Sequence, residues 1–189
     1  MSILQHLTGQ KYIAMIGDSK SATPINNWQY PLITLLEGHT HLNWGVGFNH
    51  ATAGWTVSNA QSGLSAALAG ASMTPDYLFV NIGINDTSGT PTSQATFEAA
   101  YASILDQLHA KWPSASVYAA HIWRSGGSFT TPVANMNSYI DNVQATRAWA
   151  LDGIDERDWL SSWVDGGGIH PTIAGYFEMA RQWRAVIGF

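Results

Sequence analysis

The sequence predicts an α/β fold built on a mostly parallel, five-stranded sheet. Short apolar runs alternate with longer amphipathic segments along the chain, which is the pattern of alternating strands and helices. Most of the short runs are apolar on both faces, as is typical of parallel strands that helices cover on both sides. The chain has 189 residues and no internal repeat or linker-like segment, so we expect one domain over residues 1–189.

Five segments have the composition of strands, and four have helical spacing. The strands are predicted at Tyr12 to Ile16, Trp44 to Phe48, Tyr77 to Ile82, Ser116 to Ile122 and, from a weaker pattern, Gly153 to Glu156. The helices are predicted at Val57 to Ala69, Ser93 to Trp112, Pro132 to Leu151 and Thr172 to Ile187. The order of elements is roughly βαβαβαβαβα. In such sheets the loops at the carboxyl ends of the strands carry ligands, so the residues after each strand are the functional candidates.

Composition and charge disfavour several classes of function. Eight Lys and Arg against 13 Asp and Glu give a formal charge of −5, and the basic residues are scattered, which disfavours a nucleic-acid partner. No stretch approaches the ~20 apolar residues of a membrane-spanning helix, and the first residues lack the pattern of a secretory signal. With no cysteine, the chain has neither a disulfide nor a thiolate zinc site. The cellular compartment stays open.

The first predicted strand leads into Gly17-Asp18-Ser19, which places a hydroxyl at a strand-to-helix turn. A serine there can act as a nucleophile, because the amides at the start of the following helix can stabilise an oxyanion on a substrate carbonyl. In the alternative, Asp18 or Ser19 only caps the helix. That alternative is the commoner one for these three residues taken alone.

Two candidate oxyanion donors follow the second and third strands. Gly54 can bring a backbone amide close to a ligand, although a lone glycine is also an ordinary turn residue. Asn85, in the segment Gly83-Ile84-Asn85-Asp86, offers a neutral amide donor that suits a developing negative charge. Asp86 is expected to hold this loop in place.

Near the C-terminus, His170 and Pro171 lead into the last helix, and Asp165 stands upstream of the histidine. A histidine base and a carboxylate that orients it are what an unactivated serine hydroxyl requires. A loop histidine by itself is more often structural. The whole set consists of a nucleophile, two oxyanion donors, a base and an orienter at one edge of a sheet. Such a set arises by chance far less often than a single loop histidine does.

These segments resemble the SGNH, or GDSL-type, hydrolase family, whose four motif blocks occur in the same order. The matching blocks are Gly17-Asp18-Ser19, Gly54, Gly83-x-Asn85-Asp86 and His170-Pro171, and they span nearly the whole chain. The resemblance implies a flavodoxin-like three-layer α/β/α sandwich and a serine esterase without metal or cofactor. Ser19 is then the nucleophile and His170 its base. The oxyanion hole would consist of the Ser19 amide, the Gly54 amide and the Asn85 side chain.

The sequence departs from the family pattern at two positions. Lys20 stands where the first block often has Leu, which is expected to matter little because that side chain need not touch the reacting carbonyl. The family's acid usually stands where this chain has Gly167, whereas the nearest carboxylate is Asp165. Assigning Asp165 as the orienter requires glycines 166–168 to form a wider turn. Asp158 is the alternative, and a Ser-His dyad held by a backbone carbonyl is a third.

Nine tryptophans suggest aromatic surface for a ligand. The candidate substrate-binding residues are Trp55, Trp123 and Trp163, with Trp28 and Trp159 also in or beside loops, whereas Trp112 and Trp183 continue helix faces and are expected in the core. Arg124 begins a loop that can form a rim or a lid.

Other histidines are expected to have structural roles. This applies to His50 and His121, which lie near strand ends. His39-x-His41 lacks an apparent third ligand, so we expect no metal site.

The function predicted from the sequence is that of a serine esterase for short acyl groups such as acetyl, carried on a small molecule or a carbohydrate. The Trp-rich loops and the lack of a long apolar segment suited to a lipid lid favour this substrate. A lipolytic esterase or acyl thioesterase would use the same catalytic residues. A glycan-binding domain that has lost turnover is a further alternative. The unusual spacing between Asp165 and His170 favours it, because such a domain can lose the acid of the triad. A flavin- or phosphate-binding protein is disfavoured, because the glycines before His170 form no strand-linked phosphate loop.

Overall fold

The computed structural model describes residues 9–22, 27–125, 127–158, 161–165 and 168–189. The strands are β1 (Lys11–Gly17), β2 (Trp44–Ala51), β3 (Tyr77–Asn81), β4 (Ser116–His121) and β5 (Ala150–Asp155). They form one sheet in the order β2-β1-β3-β4-β5, and every neighbouring pair is parallel. The predicted five-stranded parallel sheet is confirmed.

Helices cover both faces of this sheet. They are α1 (Ser19–Ala22), α2 (Gln29–Thr40), α3 (Val57–Gly70), α4 (Gln94–Lys111), α5 (Thr130–Ala145) and α6 (Ile173–Val186). One core lies between the sheet and α2 with α6, and the other lies between the sheet and α3, α4 and α5. The predicted three-layer α/β/α sandwich is therefore confirmed.

The interior strand β1, which lies between β2 and β3, shows why its sequence is apolar at successive positions. Ile13 and Met15 are buried in the core under α2 and α6, whereas Ala14 and Ile16 are buried in the core under α3, α4 and α5. Successive side chains of a strand point to opposite faces, so a strand between two helical layers must be apolar on both.

Side-chain caps fix the starts of three helices that follow loops at the carboxyl edge of the sheet. The hydroxyl of Thr56 accepts a hydrogen bond from the Asn59 amide at the start of α3, and Ser93 does the same at the start of α4. The Thr172 hydroxyl accepts from the Gly175 amide at 3.2 Å and so starts α6 directly after His170 and Pro171. Each cap satisfies an amide that would otherwise lack a partner, so these loops enter their helices at defined points.

Two predicted boundaries, on either side of the connection between α5 and β5, are wrong. The helix predicted to end at Leu151 ends at Ala145, and β5 begins at Ala150 rather than at Gly153. The Arg147 amide bonds to the Gln144 carbonyl, which closes a turn, and Ala150 then pairs with β4. Apolar residues in this stretch continue the helical spacing, but pairing with the sheet satisfies the backbone and ends the helix.

A search of the described helices finds none that is long and apolar enough to cross a membrane.

Candidate active site

The predicted nucleophile stands on a tight turn between β1 and the short helix α1. Ser19 begins α1, two residues after β1 ends at Gly17. A Cβ atom at Gly17 would lie 2.8 Å from the Cβ of Ser21 and 3.1 Å from the Asn81 carbonyl oxygen. Only glycine fits this close approach, which lets the chain reverse and present Ser19 at the carboxyl edge of the sheet.

Ser19 and His170 are in direct contact although they are far apart in the sequence. The distance between Ser19 Oγ and His170 Nε2 is 2.9 Å, which is that of a hydrogen bond. The structure thus brings the predicted nucleophile and the predicted base together in the geometry that proton transfer requires.

Asp165 lies on the other side of the imidazole ring. Its Oδ2 is 3.5 Å from His170 Nδ1, longer than a good hydrogen bond but within reach of one after a small movement. The loop folds back on itself, because the Asp165 amide donates to the His170 carbonyl at 2.8 Å and the Gly168 amide donates to the Asp165 carbonyl at 2.9 Å. Gly168 has a φ of +66°, which a side chain would disfavour. Positions 166 and 167 of the predicted wider turn lie outside the described residues.

Local hydrogen bonds keep Asp165 ionised. Burial by itself raises the pKa of this carboxyl, but the backbone amides of Ile169 and His170, followed by the imidazole, outweigh it and lower the pKa below its usual range. The carboxylate is therefore charged where it faces His170 Nδ1. The side chain of Asp158, the alternative acid, lies outside the described part of the chain.

The two predicted oxyanion donors stand in neighbouring loops. Gly54 has a φ of +81°, and the amide of Thr52 in the same loop bonds to the Gly17 carbonyl at 3.4 Å, next to the nucleophile turn. The Nδ2 of Asn85 donates to the Trp55 carbonyl at 2.9 Å, which orients the amide group. The side-chain amide nitrogen of asparagine carries two hydrogens, so this bond leaves the second hydrogen available to an oxyanion.

Asp86 ties these two loops together. One of its carboxylate oxygens accepts from the Val57 amide at 2.9 Å, and the other accepts from the Thr92 hydroxyl at 2.8 Å. The side chain is almost completely buried, and burial raises its pKa. This carboxylate holds the Gly54 turn and the Asn85 turn in one arrangement, as its position in the sequence suggested.

A buried charged cluster under the nucleophile turn was missed by the sequence analysis. Lys20, expected to matter little, is completely buried, and its Nζ lies 2.6 Å from Oε2 of Glu156. The same carboxylate accepts from Asn81 Nδ2 at 2.8 Å and from the Trp123 amide at 3.1 Å. The available signal was the position of the two charged residues, since Lys20 lies in the turn after β1 and Glu156 directly follows β5, at the same edge of the sheet.

Asp18 completes this cluster. Its Oδ1 accepts from the Lys20 amide at 3.1 Å, whereas its Oδ2 has no hydrogen-bond partner among the described residues. Burial raises the pKa of Asp18 to about 6, and the positive charge of Lys20 opposes that shift.

The tryptophans are more buried than the sequence suggested. Trp28 is completely buried in the core beneath α2 and α6, and its Nε1 donates to Ser21 Oγ, so the expectation that it lines the site is wrong. Trp55 is partly buried and packs on the ring of His50 with 4.8 Å between ring centroids. Trp123 and Trp163 are partly buried against the α2/α6 core. Trp112 and Trp183 are core residues, as predicted, and Trp159 lies outside the described residues.

The two histidines near strand ends have structural partners. His50 Nε2 lies 2.9 Å from the Ala60 carbonyl oxygen, and His121 Nε2 lies 2.7 Å from Asp141. Within the described ranges no group of three or more potential ligands is placed to hold a metal ion.

The loop after β4 is attached to the histidine loop. The Ser125 amide donates to the Gly168 carbonyl at 2.9 Å. Arg124 Nη1 donates to Ser88 Oγ at 2.6 Å, and its guanidinium lies 3.5 Å from the centroid of the Phe129 ring. Arg124 therefore joins the loop after β4 to the loop that follows Asn85, and its role as a rim or lid stays a prediction.

Solved structures with the same fold include several esterases. Axe2, an acetylxylan esterase from Geobacillus stearothermophilus, has a TM-score of 0.76 and 15% identity, with 96% of this chain and 95% of that chain covered. A family 3 carbohydrate esterase from Clostridium thermocellum has a TM-score of 0.71 and 17% identity, with 94% of each chain covered. TesA has a TM-score of 0.74 and 17% identity, with 94% of this chain and 98% of that chain covered. At these identities the likeness concerns the fold.

A comparison with curated proteins finds no match. A model of the GDSL-like lipase/acylhydrolase family matches residues 13–176, a range that includes Ser19, Gly54, Asn85 and His170. The chain belongs to the GDSL-like lipase/acylhydrolase family.

Proposed function

We propose that this protein is a serine ester hydrolase that acts through an acyl-enzyme intermediate on Ser19. The observation that carries the proposal is the 2.9 Å contact between Ser19 Oγ and His170 Nε2, with the Asp165 carboxylate on the far side of the imidazole ring. This chemistry needs no metal and no cofactor.

In the first half-reaction, Ser19 Oγ attacks the ester carbonyl carbon while its proton moves to His170 Nε2. The carbonyl oxygen becomes an oxyanion, which accepts hydrogen bonds from the amides of Ser19 and Gly54 and from Asn85 Nδ2. The tetrahedral intermediate then loses the alcohol, which takes the proton from His170, and the acyl group remains on Ser19.

In the second half-reaction, water replaces the alcohol. His170 Nε2 takes a proton from the water, the resulting hydroxide attacks the acyl carbon, and the carboxylic acid leaves as Ser19 Oγ regains a proton. Asp165 keeps the imidazole in the orientation in which Nδ1 carries a hydrogen, and its charge stabilises the imidazolium that forms in both steps.

We propose a short acyl group, such as acetyl, as the preferred one. Around the oxyanion loops stand small or polar side chains, including Thr52, Ser88 and the Arg124 that bonds to Ser88. An acyl tail gains free energy only in a channel of contiguous aliphatic side chains. One fold neighbour is named as an acetylxylan esterase, which supports acetyl as the acyl group.

A glycan-binding domain without turnover is less well supported. The unusual sequence position of Asp165 favoured that alternative, but the folded loop places the carboxylate 3.5 Å from His170. A domain that only binds does not require a serine hydroxyl in hydrogen-bond contact with a histidine.

Labelling with an active-site-directed organophosphonate tests the nucleophile. We expect one phosphonyl group on Ser19, located by peptide mass spectrometry, and loss of hydrolysis of p-nitrophenyl acetate in proportion to labelling. Ser19→Ala should lose the label and at least ~10³-fold of kcat. Ser65→Ala, at an exposed serine of α3, is the matched control and should keep both. Retained activity in Ser19→Ala would overturn the proposal.

The same esters test the acyl group. The value of kcat/KM on p-nitrophenyl acetate should exceed that on the octanoate. A rise in kcat/KM with every two carbons from acetate to octanoate would show a tail channel and contradict the short-acyl proposal, although the serine mechanism would stand.

A further inference from the structure

An apolar groove lies beside the proposed catalytic histidine. Its volume is about 710 Å³, within the range of small-molecule binding sites. It runs between the first turns of α2 and α6 and reaches Pro171, the residue directly after His170. The apolar side chains that line it are Tyr30, Pro31, Leu35, Ile173, Tyr176 and Phe177.

Large apolar side chains are exposed in this groove. Tyr30 is 56% exposed, Ile173 76% and Phe177 57%, and they are three of the five exposed large hydrophobic residues in the described part of the chain. Exposed apolar residues that are scattered singly are normal, but residues gathered around one concave site indicate a surface that a ligand covers.

The position of the groove relative to the catalytic groups decides which part of an ester it can hold. The loops with Gly54 and Asn85 lead to α3 and α4 on one face of the sheet, whereas His170 leads into α6 on the other face. A carbonyl oxygen directed at the oxyanion loops therefore leaves the alcohol oxygen on the side of His170, which must donate a proton to it. The groove begins on that same side.

Three polar side chains of the groove are already engaged in local structure. Asn27 Oδ1 accepts from the Gln29 amide at 2.8 Å, and Thr34 Oγ1 donates to the Tyr30 carbonyl at 3.0 Å. Thr172 Oγ1 accepts from Gly175 as the cap of α6. Beyond these, the lining side chains offer the hydroxyls of Tyr30 and Tyr176, which are too few for the several hydroxyl groups of a sugar ring, whereas an alkyl or aryl group needs no polar partner.

We propose that this groove, defined by Tyr30, Ile173, Phe177 and Pro171, binds the alcohol portion of the substrate, and that this alcohol is apolar, with an alkyl or aryl body. The inference rests on the proposed serine esterase function and adds the substrate class on the leaving-group side. The acyl portion stays on the opposite side, near Asn85. The substrate class is then a short-chain ester of an apolar alcohol.

A series of acetates with the alcohols ethanol, butanol and hexanol tests the groove. These primary alcohols have nearly equal leaving-group reactivity, and all of the acetates form the same acetyl-enzyme, so differences in kcat/KM report binding of the alcohol. Each fully buried methylene corresponds to about fourfold. Because the groove is partly open, we expect hexyl acetate to exceed ethyl acetate by at least ~10-fold in kcat/KM.

Substitutions in the groove should reduce this preference. Phe177→Ser and Ile173→Ser are each expected to lower the hexyl-to-ethyl ratio of kcat/KM about threefold or more, and the double variant should lower it further. The matched control is Leu151→Ser, because Leu151 is 40% exposed at the start of β5, the end of the strand farther from the site. That control should keep the ratio of the unmodified protein. Thermal unfolding of each variant confirms that it is folded.

A second substrate series separates the two sides of the ester. The ratio of kcat/KM between p-nitrophenyl acetate and octanoate should be the same in Phe177→Ser as in the unmodified protein, because the acyl chain lies elsewhere. The inference is overturned if the acetate series shows no preference for hexanol, if the variants leave that preference unchanged, or if they alter the acyl-chain ratio instead. Failure of the proposed function is a different result, in which Ser19→Ala still hydrolyses these esters.

Discussion

Lys20 and Glu156 form an ion pair with 2.6 Å between Nζ and Oε2, and both side chains are completely buried. Lys20 directly follows Ser19, and Glu156 directly follows β5. The carboxylate also accepts hydrogen bonds from Asn81, at the end of β3, and from the Trp123 amide, after β4. This one pair therefore links the carboxyl ends of four strands and holds the nucleophile turn against them.

Glu156→Gln should destabilise the protein strongly. The neutral amide no longer supplies the carboxylate that bonds to the buried Lys20 ammonium, and the loss of one partner of a buried ion pair typically costs about 3–5 kcal/mol. Urea denaturation should show this loss in the free energy of unfolding. Asp106→Asn is the control, because it breaks an ion pair with Arg147 in which the carboxylate is half exposed, and it should cost about 1 kcal/mol or less. An equal loss of free energy of unfolding in the two variants would mean that burial does not make the Lys20–Glu156 pair more important for stability than an exposed pair.

Asp18→Asn should change how stability depends on pH. Burial raises the pKa of Asp18 to about 6 in the folded protein, from an ordinary value of 3.8. Between these values the folded state holds a proton that the unfolded chain has released, so this residue makes stability fall as pH rises from about 4 to 6. The contribution is roughly 2–3 kcal/mol.

The measurement for Asp18 is the free energy of unfolding across that pH range. The difference between the unmodified protein and Asp18→Asn isolates this residue from carboxyls whose pKa is lowered, such as Asp165 and Asp106. We expect the free energy of unfolding of Asp18→Asn, measured relative to that of the unmodified protein, to be higher above pH 6 than at pH 4. A difference that is constant with pH would mean that Asp18 does not titrate in this range.

Ser19→Ala and His170→Ala should not be additive. Each should lower kcat by ~10³-fold or more, and the double variant should be scarcely slower than either single variant, because the two side chains act as a unit in proton transfer. Steady-state kinetics on p-nitrophenyl acetate measures all three. Losses that multiply would mean that a different base serves Ser19.

Asn85→Ala should lower kcat and leave KM nearly unchanged. If the Asn85 side chain serves the oxyanion, it acts in the transition state and not on the bound ester, and such donors are worth about 10²- to 10³-fold in kcat. The variant loses only one partly buried hydrogen bond, to the Trp55 carbonyl, so it should remain folded. An effect confined to KM would make Asn85 a residue that binds the substrate.

Asp165→Asn should lower kcat by more than ~10-fold. The neutral amide no longer stabilises the imidazolium and can favour the wrong orientation of the ring. Asp152→Asn, at an exposed position in β5, is the control. If Asp165→Asn loses less than ~10-fold, Asp158→Asn is the next variant to measure, and indifference to both would mean that backbone groups hold His170.

Much of the fold could be predicted because its information is local. The alternation of Ile13 and Met15 with Ala14 and Ile16 specifies a strand buried on both faces, and it needs only neighbouring residues to be read. The strand-end segments with Ser19, Asn85 and His170 could be found for the same reason, because parallel strands bring their carboxyl ends to one edge. The end of α5 could not be placed, because pairing of Ala150 with β4 overrode the local helical spacing.

The sequence by itself therefore determined the α/β class, the parallel sheet and the residues that follow each strand. Only the tertiary structure decided which of these residues touch. The contact of Lys20 with Glu156 joins positions 136 residues apart, and the groove joins α2 with α6 from opposite ends of the chain. Periodicity encodes which face of an element is buried, but contacts between distant side chains depend on strand order and helix packing. No local pattern records these.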